Sequence, residues 1–365
     1  MKILVIPNRG RSYNAVRPEA ECYISLAKSG HEVTLFTCES NAYYSDYKKA
    51  NINLIELSSL KKYSLSVIKQ IHRYIKQHNI DIVYATESNG IPNAAFACIG
   101  TKAKMIAYRG TTGGMYKTDP SNYLCTLHPR INGYVCVSNA VKKHVTTKVR
   151  GAIKSNISTI YKGHDINWYN EPAIQLSSLA TSPTNFNILC IGSHRPYKGM
   201  HFMLDAMKHL TDLNNIKLIL VGDNFDCEPF SSQIKATGMS EHIIETGFRN
   251  DVPQIAKACD ILVLPSEREG LPRVVLESLA SGTPVITSAN EGAMEIIEDG
   301  INGYIVPIGD GEAIAERIRY LYQNEQVKLH LTNGAINTIN TTMSHKETVE
   351  NYIKYFEKTL SGQAL

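Results

Sequence analysis

PSEREGLPRVVLESLASGTPVI occupies residues 265–286. It follows the apolar run ILVL, so a buried strand leads into it and a helix leads out. Pro272 suits the first turn of that helix, where its missing N–H costs nothing. Val275, Leu276 and Leu279 fall on one inward stripe, and Gly282 closes the helix. Two carboxylates bracket the turn. Glu269 lies in the loop at the strand's carboxyl end, and Glu277 about a turn and a half into the helix. In open α/β sheets, ligands bind at the carboxyl ends of strands. The free N–H groups of a helix start attract anions. Acids on either side of an anion site are suited to accept hydrogen bonds from hydroxyls. A nucleotide sugar has that layout: sugar hydroxyls, a diphosphate, then ribose hydroxyls. The plainer alternative pairs Glu277 with Arg273 at i,i+4 and leaves Glu269 in solvent.

Outward from this stretch, strand and helix patterns alternate along the chain. KILVI, EVTLFT, INLIEL, DIVYA, AKMIAY and GYVCVS read as strands, and Ser138 is placed to cap the helix after the last of them. RPEAECYISLAKSG reads as a helix closed by Gly30. SLSVIKQIHRYIKQHN carries Leu65, Ile68, Ile71 and Ile75 at helical spacing. Periodicity lapses over 165–187, a polar stretch with two prolines that reads as a linker. Alternation resumes with FNILCIG, IKLILVG, HIIETG, DILVLP, TPVIT and GYIVP, and the last periodic stretch is one long helix. The expected fold class is α/β, with two Rossmann-like domains whose parallel sheets face a central cleft.

The 365 residues are too many for one ordinary core, and 20% charged with 43% hydrophobic is a globular balance. The first apolar run stops at Pro7, which suits a strand better than a signal peptide, so a cytoplasmic protein is expected. Eight scattered cysteines without C-x-x-C argue against a zinc or redox pair. Residues 1–170 hold 23 Lys and Arg against 10 Asp and Glu, a balance of +13, while the remainder stands at −9. The first half is therefore expected to meet something anionic. Lys61, Lys62, Lys69, His72, Arg73 and Lys76 crowd one outer face, which suggests peripheral contact with an anionic membrane through the Lys61 to Lys76 region. Nothing carries a nucleic-acid signature.

A second constellation, CIGSHRPYKGMHFMLDAM, follows a strand and opens a helix at Lys198 and Gly199. Lys198 and Arg195 can neutralise a departing diphosphate. G-x-G-x-x-G is absent, so this is no dinucleotide fingerprint. D-x-D is absent too, and no metal or other cofactor is expected, because these cations and the helix start can take a metal's place. Together the two stretches resemble the donor region of retaining glycosyltransferases of family 4, in the GT-B superfamily. Glu269 and Glu277 match its E-x7-E pair, and GSHRPYKG looks like its Lys-Gly loop. SGHEVTLFT, YVCVSNAV, IYKGHDINWY and DGINGYIVP are similar to further family segments.

The resemblance implies an enzyme: a metal-independent, hexosyltransferase-type protein moving a sugar from a nucleoside-diphosphate sugar to a hydroxyl of a glycan or glycolipid acceptor. It implies that Glu277 holds the ribose and that Glu269, Gly270 and Leu271 hold the sugar, beside Pro272. Lys198 would bind the diphosphate, and Arg249 would line the base site. Domains of 1–170 and 187–344 are expected, with a linker at 171–186 and a final helix, about 345–365, returning to the first domain. The chain departs from the pattern at Ser193, where the family carries Arg; Arg195 is two residues on. Arg109 stands where the family often has His, and Gly10 lies in a first loop with Arg9 and Arg11 beside it. Two rivals share the architecture: a nucleotide-sugar 2-epimerase and a non-catalytic relative that only binds nucleotide sugars.

Overall fold

The computed structural model describes residues 1–8, 12–57, 60–193 and 195–362. Its contacts divide the chain into two compact units, Met1–Lys162 with His345–Leu365, and Gly163–Ser344.

The first unit runs β1 (Lys2–Ile6), α1 (Tyr13–Lys28), β2 (Glu32–Thr37), α2 (Tyr44–Lys49), β3 (Asn53–Glu56), α3 (Leu65–His78), β4 (Ile82–Ala85), α4 (Gly90–Ala97), β5 (Lys104–Arg109), β6 (Ile131–Cys136), α5 (Asn139–Lys148) and β7 (Ile157–Thr159). The second runs β8 (Phe186–Ile191), α6 (Met200–Lys208), β9 (Ile216–Val221), α7 (Phe230–Ala236), β10 (Ile243–Glu245), α8 (Val252–Ala258), β11 (Ile261–Leu264), α9 (Arg273–Ala280), β12 (Val285–Ser288), β13 (Gly303–Val306), α10 (Gly311–Gln323) and α11 (Glu325–Asn340). The closing helix, α12 (His345–Ser361), belongs to the first unit.

Both sheets are parallel. Their orders are β3-β2-β1-β4-β5-β6-β7 and β10-β9-β8-β11-β12-β13. Each is doubly wound, with its strand order reversing beside its first strand. Helices cover both faces of such a sheet, which is why the central strands are continuous apolar runs rather than alternating ones. β1 is buried over Ile3 to Ile6, and β11 over its whole length. Helix starts are satisfied locally: Ser138 accepts a hydrogen bond from the Val141 N–H at 3.3 Å, and Asp310 from Ala313 at 2.9 Å.

α12 packs Val349, Tyr352, Tyr355 and Phe356 into the core of the first unit. The Tyr352 and Tyr84 hydroxyls are 3.0 Å apart, and Tyr355 Oη donates to the Asn156 carbonyl at 2.9 Å.

Three expectations need correction. Residues 163–170, expected in the first domain, and 171–186, expected as a linker, both fall in the second unit. Leu176 and Leu179 are buried, Ile174 N–H donates to Gln254 O at 3.1 Å, and Lys257 Nζ donates to Glu171 O at 2.9 Å. Two anchoring leucines escape a search for helical or strand periodicity. Leu65 is not in the buried stripe of α3: it is 76% exposed, and Val67 takes its place beside Ile71 and Ile75. His72 leaves the basic face, since its Nδ1 donates to the Ala97 carbonyl at 2.8 Å.

Candidate functional site

The second sheet reverses between β8 and β11, so the loops after these two strands open on one crevice. The loop after β8 carries Ser193, Arg195, Tyr197 and Lys198; the loop after β11 carries 265–272. Their meeting is built by backbone. Gly199 has φ of +68°, and a Cβ there would stand 2.0 Å from the Pro265 carbonyl oxygen, so only glycine lets the loops touch. Glu267 N–H donates to Tyr197 O at 2.9 Å, and Ser266 Oγ to Lys198 O at 3.5 Å. The outcome is an ion pair: Lys198 Nζ lies 2.8 Å from Glu269 Oε1, the side chains 27% and 14% exposed.

A third loop, after β12, fixes Glu269 from the other side. Asn290 is buried, donating to Ser266 O at 3.1 Å and accepting from Ala293 N–H at 2.9 Å. Gly292 packs so closely that a Cβ would lie 2.6 Å from Glu269 O. Asn290, Gly292 and Tyr197 were missed in the sequence. The one available signal was SANEG, a turn-rich stretch at the carboxyl end of a strand.

α9 begins after Pro272, which sits at its N-cap position with φ −73° and ψ 107°. Val275, Leu276 and Leu279 are buried as expected, and Glu277 is buried with them at 2% exposure. Arg273 Nε is 3.1 Å from Glu277 Oε1, so the i,i+4 pair exists. Its Arg273 end is 45% exposed while its Glu277 end is buried, and its geometry leaves Oε1 without a hydrogen bond among the described residues. Burial pushes the Glu277 carboxyl up to about 7, against the opposing charge of Arg273. A buried oxygen lacking a hydrogen-bond donor is suited to receive a ligand hydroxyl.

The structure thus brings together Ser193, Arg195, Lys198, Glu269, Gly270, Leu271, Pro272 and Glu277 on neighbouring loops and the helix they lead into. Arg195 is exposed and donates to Tyr197 Oη at 2.9 Å, while Arg268 lies over the same ring at 5.3 Å. Arg249 follows β10, two strands from β8, and is gripped by Asp251 through bonds of 2.8 and 2.6 Å. These hydrogen bonds raise the Arg249 pKa further. Arg109 closes β5 in the first unit, where it donates to Gly113 O and burial lowers its pKa. Gly10, Arg9 and Arg11 lie outside the described residues. Among the described residues no three His, Cys, Asp or Glu side chains are grouped to hold a metal.

Residues 175–338 match the family described as glycosyl transferases group 1, and residues 21–168 match glycosyltransferase family 4. The chain belongs to glycosyltransferase family 4 and has the GT-B fold. It is 23% identical to the N-acetyl-alpha-D-glucosaminyl L-malate synthase of Bacillus anthracis, over 90% of this chain and 89% of that one. It is 23% identical to the UDP-Gal:alpha-D-GlcNAc-diphosphoundecaprenol alpha-1,3-galactosyltransferase of Escherichia coli, over 75% and 76%. Among solved structures, Anabaena HepE in complex with UDP superposes with a TM-score of 0.79 at 20% identity, covering all of both chains.

Proposed function

We propose that the protein is a retaining glycosyltransferase that moves a sugar from a UDP-linked donor to a hydroxyl acceptor in cell-envelope polysaccharide or glycolipid synthesis, without a metal. The observation carrying this is the Lys198–Glu269 pair at the switch point, with buried Glu277 on the adjoining helix. The HepE complex with UDP and the E. coli relative that uses UDP-Gal support the donor base.

In the ground state Lys198 and Glu269 satisfy each other. A bound diphosphate draws the Lys198 ammonium to itself, and Glu269 turns to the sugar hydroxyls. As the bond from the anomeric carbon to the phosphate oxygen breaks, its electron pair stays on that oxygen. Lys198 and the N–H groups at the start of α9 stabilise the charge. The acceptor oxygen bonds to the same face of the anomeric carbon, and its proton passes to the departing phosphate oxygen. Glu277, deprotonated, accepts from the ribose hydroxyls. Exposed Lys61, Lys62, Lys69, Arg73 and Lys76, with Tyr63 and Leu65 also exposed, support peripheral membrane contact by the first unit. No helix among the described residues is long and apolar enough to cross a membrane.

The test is a thermal-shift screen of UDP-, GDP- and ADP-linked sugars with chelator present. The expected result is stabilisation by a UDP-sugar that is lost in Lys198→Ala and in Glu277→Ala. No shift with any donor, or a shift that survives both substitutions, would refute the site.

A further inference from the structure

The first unit has a hollow of about 470 Å³ at the amino-terminal edge of its sheet, the edge opposite the carboxyl end of β5 that Arg109 closes. Lys104, at the start of β5, and Lys358, on α12, line it, with Asn132, Ser155, Asn156 and Thr359. Among the described residues, no carboxylate lines it. The Lys358 Nζ is occluded and has no hydrogen-bond partner among the described residues. A half-buried ammonium with no hydrogen-bond partner beside it favours a ligand of opposite sign. Loss of hydration, then the charge of Lys142, lowers the Lys358 pKa, so the site is electropositive beyond its lining.

The floor of the hollow is held in place. Asn156 Nδ2 donates to Asn132 O at 2.8 Å, and Asn132 Oδ1 accepts from Arg130 Nη1 at 2.6 Å. Thr359 Oγ1 is 3.2 Å from Asn156 Oδ1. The sequence around it has the same sign: residues 120–164 hold seven Lys and Arg and no Asp or Glu. Such a field concentrates anions.

We propose that this hollow is a phosphate-binding site, seating one phosphate group of a small phosphate ester or of a lipid headgroup between Lys104 and Lys358. Lysine serves here as a point-charge donor, and the Ser155 and Asn132 side chains supply neutral hydrogen bonds. The site lies within the first unit and does not depend on the reading of the donor site.

The test uses the full chain carrying Lys198→Ala, so that phosphate at the donor site does not contribute. Inorganic phosphate, pyrophosphate and glycerol phosphate are titrated by calorimetry at low salt. The expected result is one saturable site, weakened at least tenfold by Lys358→Gln and by Lys104→Gln, and retained in Lys358→Arg. Circular dichroism and thermal midpoints confirm that each variant folds. Absence of binding, or binding unaffected by both Gln substitutions, overturns the proposal. A second arm uses phosphatidylcholine vesicles with and without phosphatidic acid. Loss of phosphatidic-acid-dependent sedimentation in Lys358→Gln assigns the site to a lipid headgroup. Unchanged sedimentation, with soluble phosphate binding lost, assigns it to a free phosphate ester.

Discussion

Each unit holds a lysine–carboxylate pair at 2.8 Å, yet the two differ in how fully the carboxylate is hydrogen-bonded. In the first unit Lys162 Nζ meets Glu19 on α1. Glu19 is 8% exposed and also accepts from the hydroxyls of Tyr23 and Thr86. The Lys162 ammonium lies 4.4 Å from the centre of the Tyr108 ring. Burial pushes the Glu19 carboxyl up, but Lys162 and the three hydrogen bonds outweigh it and hold the carboxyl below its usual value. In the second unit Lys198 and Glu269 are exposed to nearly the same degree, 27% and 14% against 26% and 9%, but among the described residues no hydroxyl donates to Glu269 beside the Lys198 contact. A carboxylate bonded from several sides is structural; one with capacity left over is open to a ligand.

The sharpest way to break this comparison is Glu19→Ala. It strands the Lys162 ammonium and leaves the Tyr23 and Thr86 hydroxyls without their acceptor, and should destabilise the fold by about 3–5 kcal/mol in urea unfolding. A loss below about 1 kcal/mol would mean that the pair is not structural. Lys198→Ala should do the reverse. Sugar transfer should fall by roughly 100- to 1000-fold in kcat, while unfolding free energy changes by less than about 1 kcal/mol, as for a partly exposed pair. A large stability loss there would erase the distinction.

The two buried carboxylates also predict opposite pH behaviour. Glu277 is raised from 4.5 to about 7, so the folded state holds its proton more tightly than the unfolded chain. Its contribution is most favourable below about 4.5 and is lost as pH rises towards about 7, by at most about 3 kcal/mol. Glu277→Gln should therefore gain stability relative to the parent between pH 5 and pH 8, while losing donor binding. A stability difference that stays flat with pH would contradict the buried, under-bonded carboxylate. Glu19, held low, contributes stability that is present above its ordinary value and lost on acidification below it. The smallest effect is expected from Arg249→Ala. Its pair with Asp251 is partly exposed, so stability should change by less than about 1 kcal/mol. Donor KM should rise only a few-fold with kcat unchanged.

Much of this was legible in the chain. Strands buried on both faces are continuous apolar runs, so their positions could be read directly, as could Pro272, Gly282 and the stripe of α9. Some local readings failed where tertiary packing overrode pattern. α1 starts at Tyr13 rather than Arg17, and Leu65 points outward although its spacing is helical. His72 carries the composition of a basic face but is bonded inward to α4. Lys162 and Glu19 gave no signal, since 143 residues separate them.

The sequence by itself determined the alternation of strand and helix, the division into a basic and an acidic half, and the E-x7-E spacing of Glu269 and Glu277. These are local properties, set by hydrophobic period, turn chemistry and charge. Only the tertiary structure decided that Lys198 meets Glu269 across 71 residues, because strand order places β8 against β11. It alone decided that Glu277 is buried, since its exposure depends on what packs over α9. It decided, finally, which carboxylate is bonded from several sides and which is left with capacity, because hydrogen-bond satisfaction belongs to the assembled neighbourhood rather than to any stretch of chain.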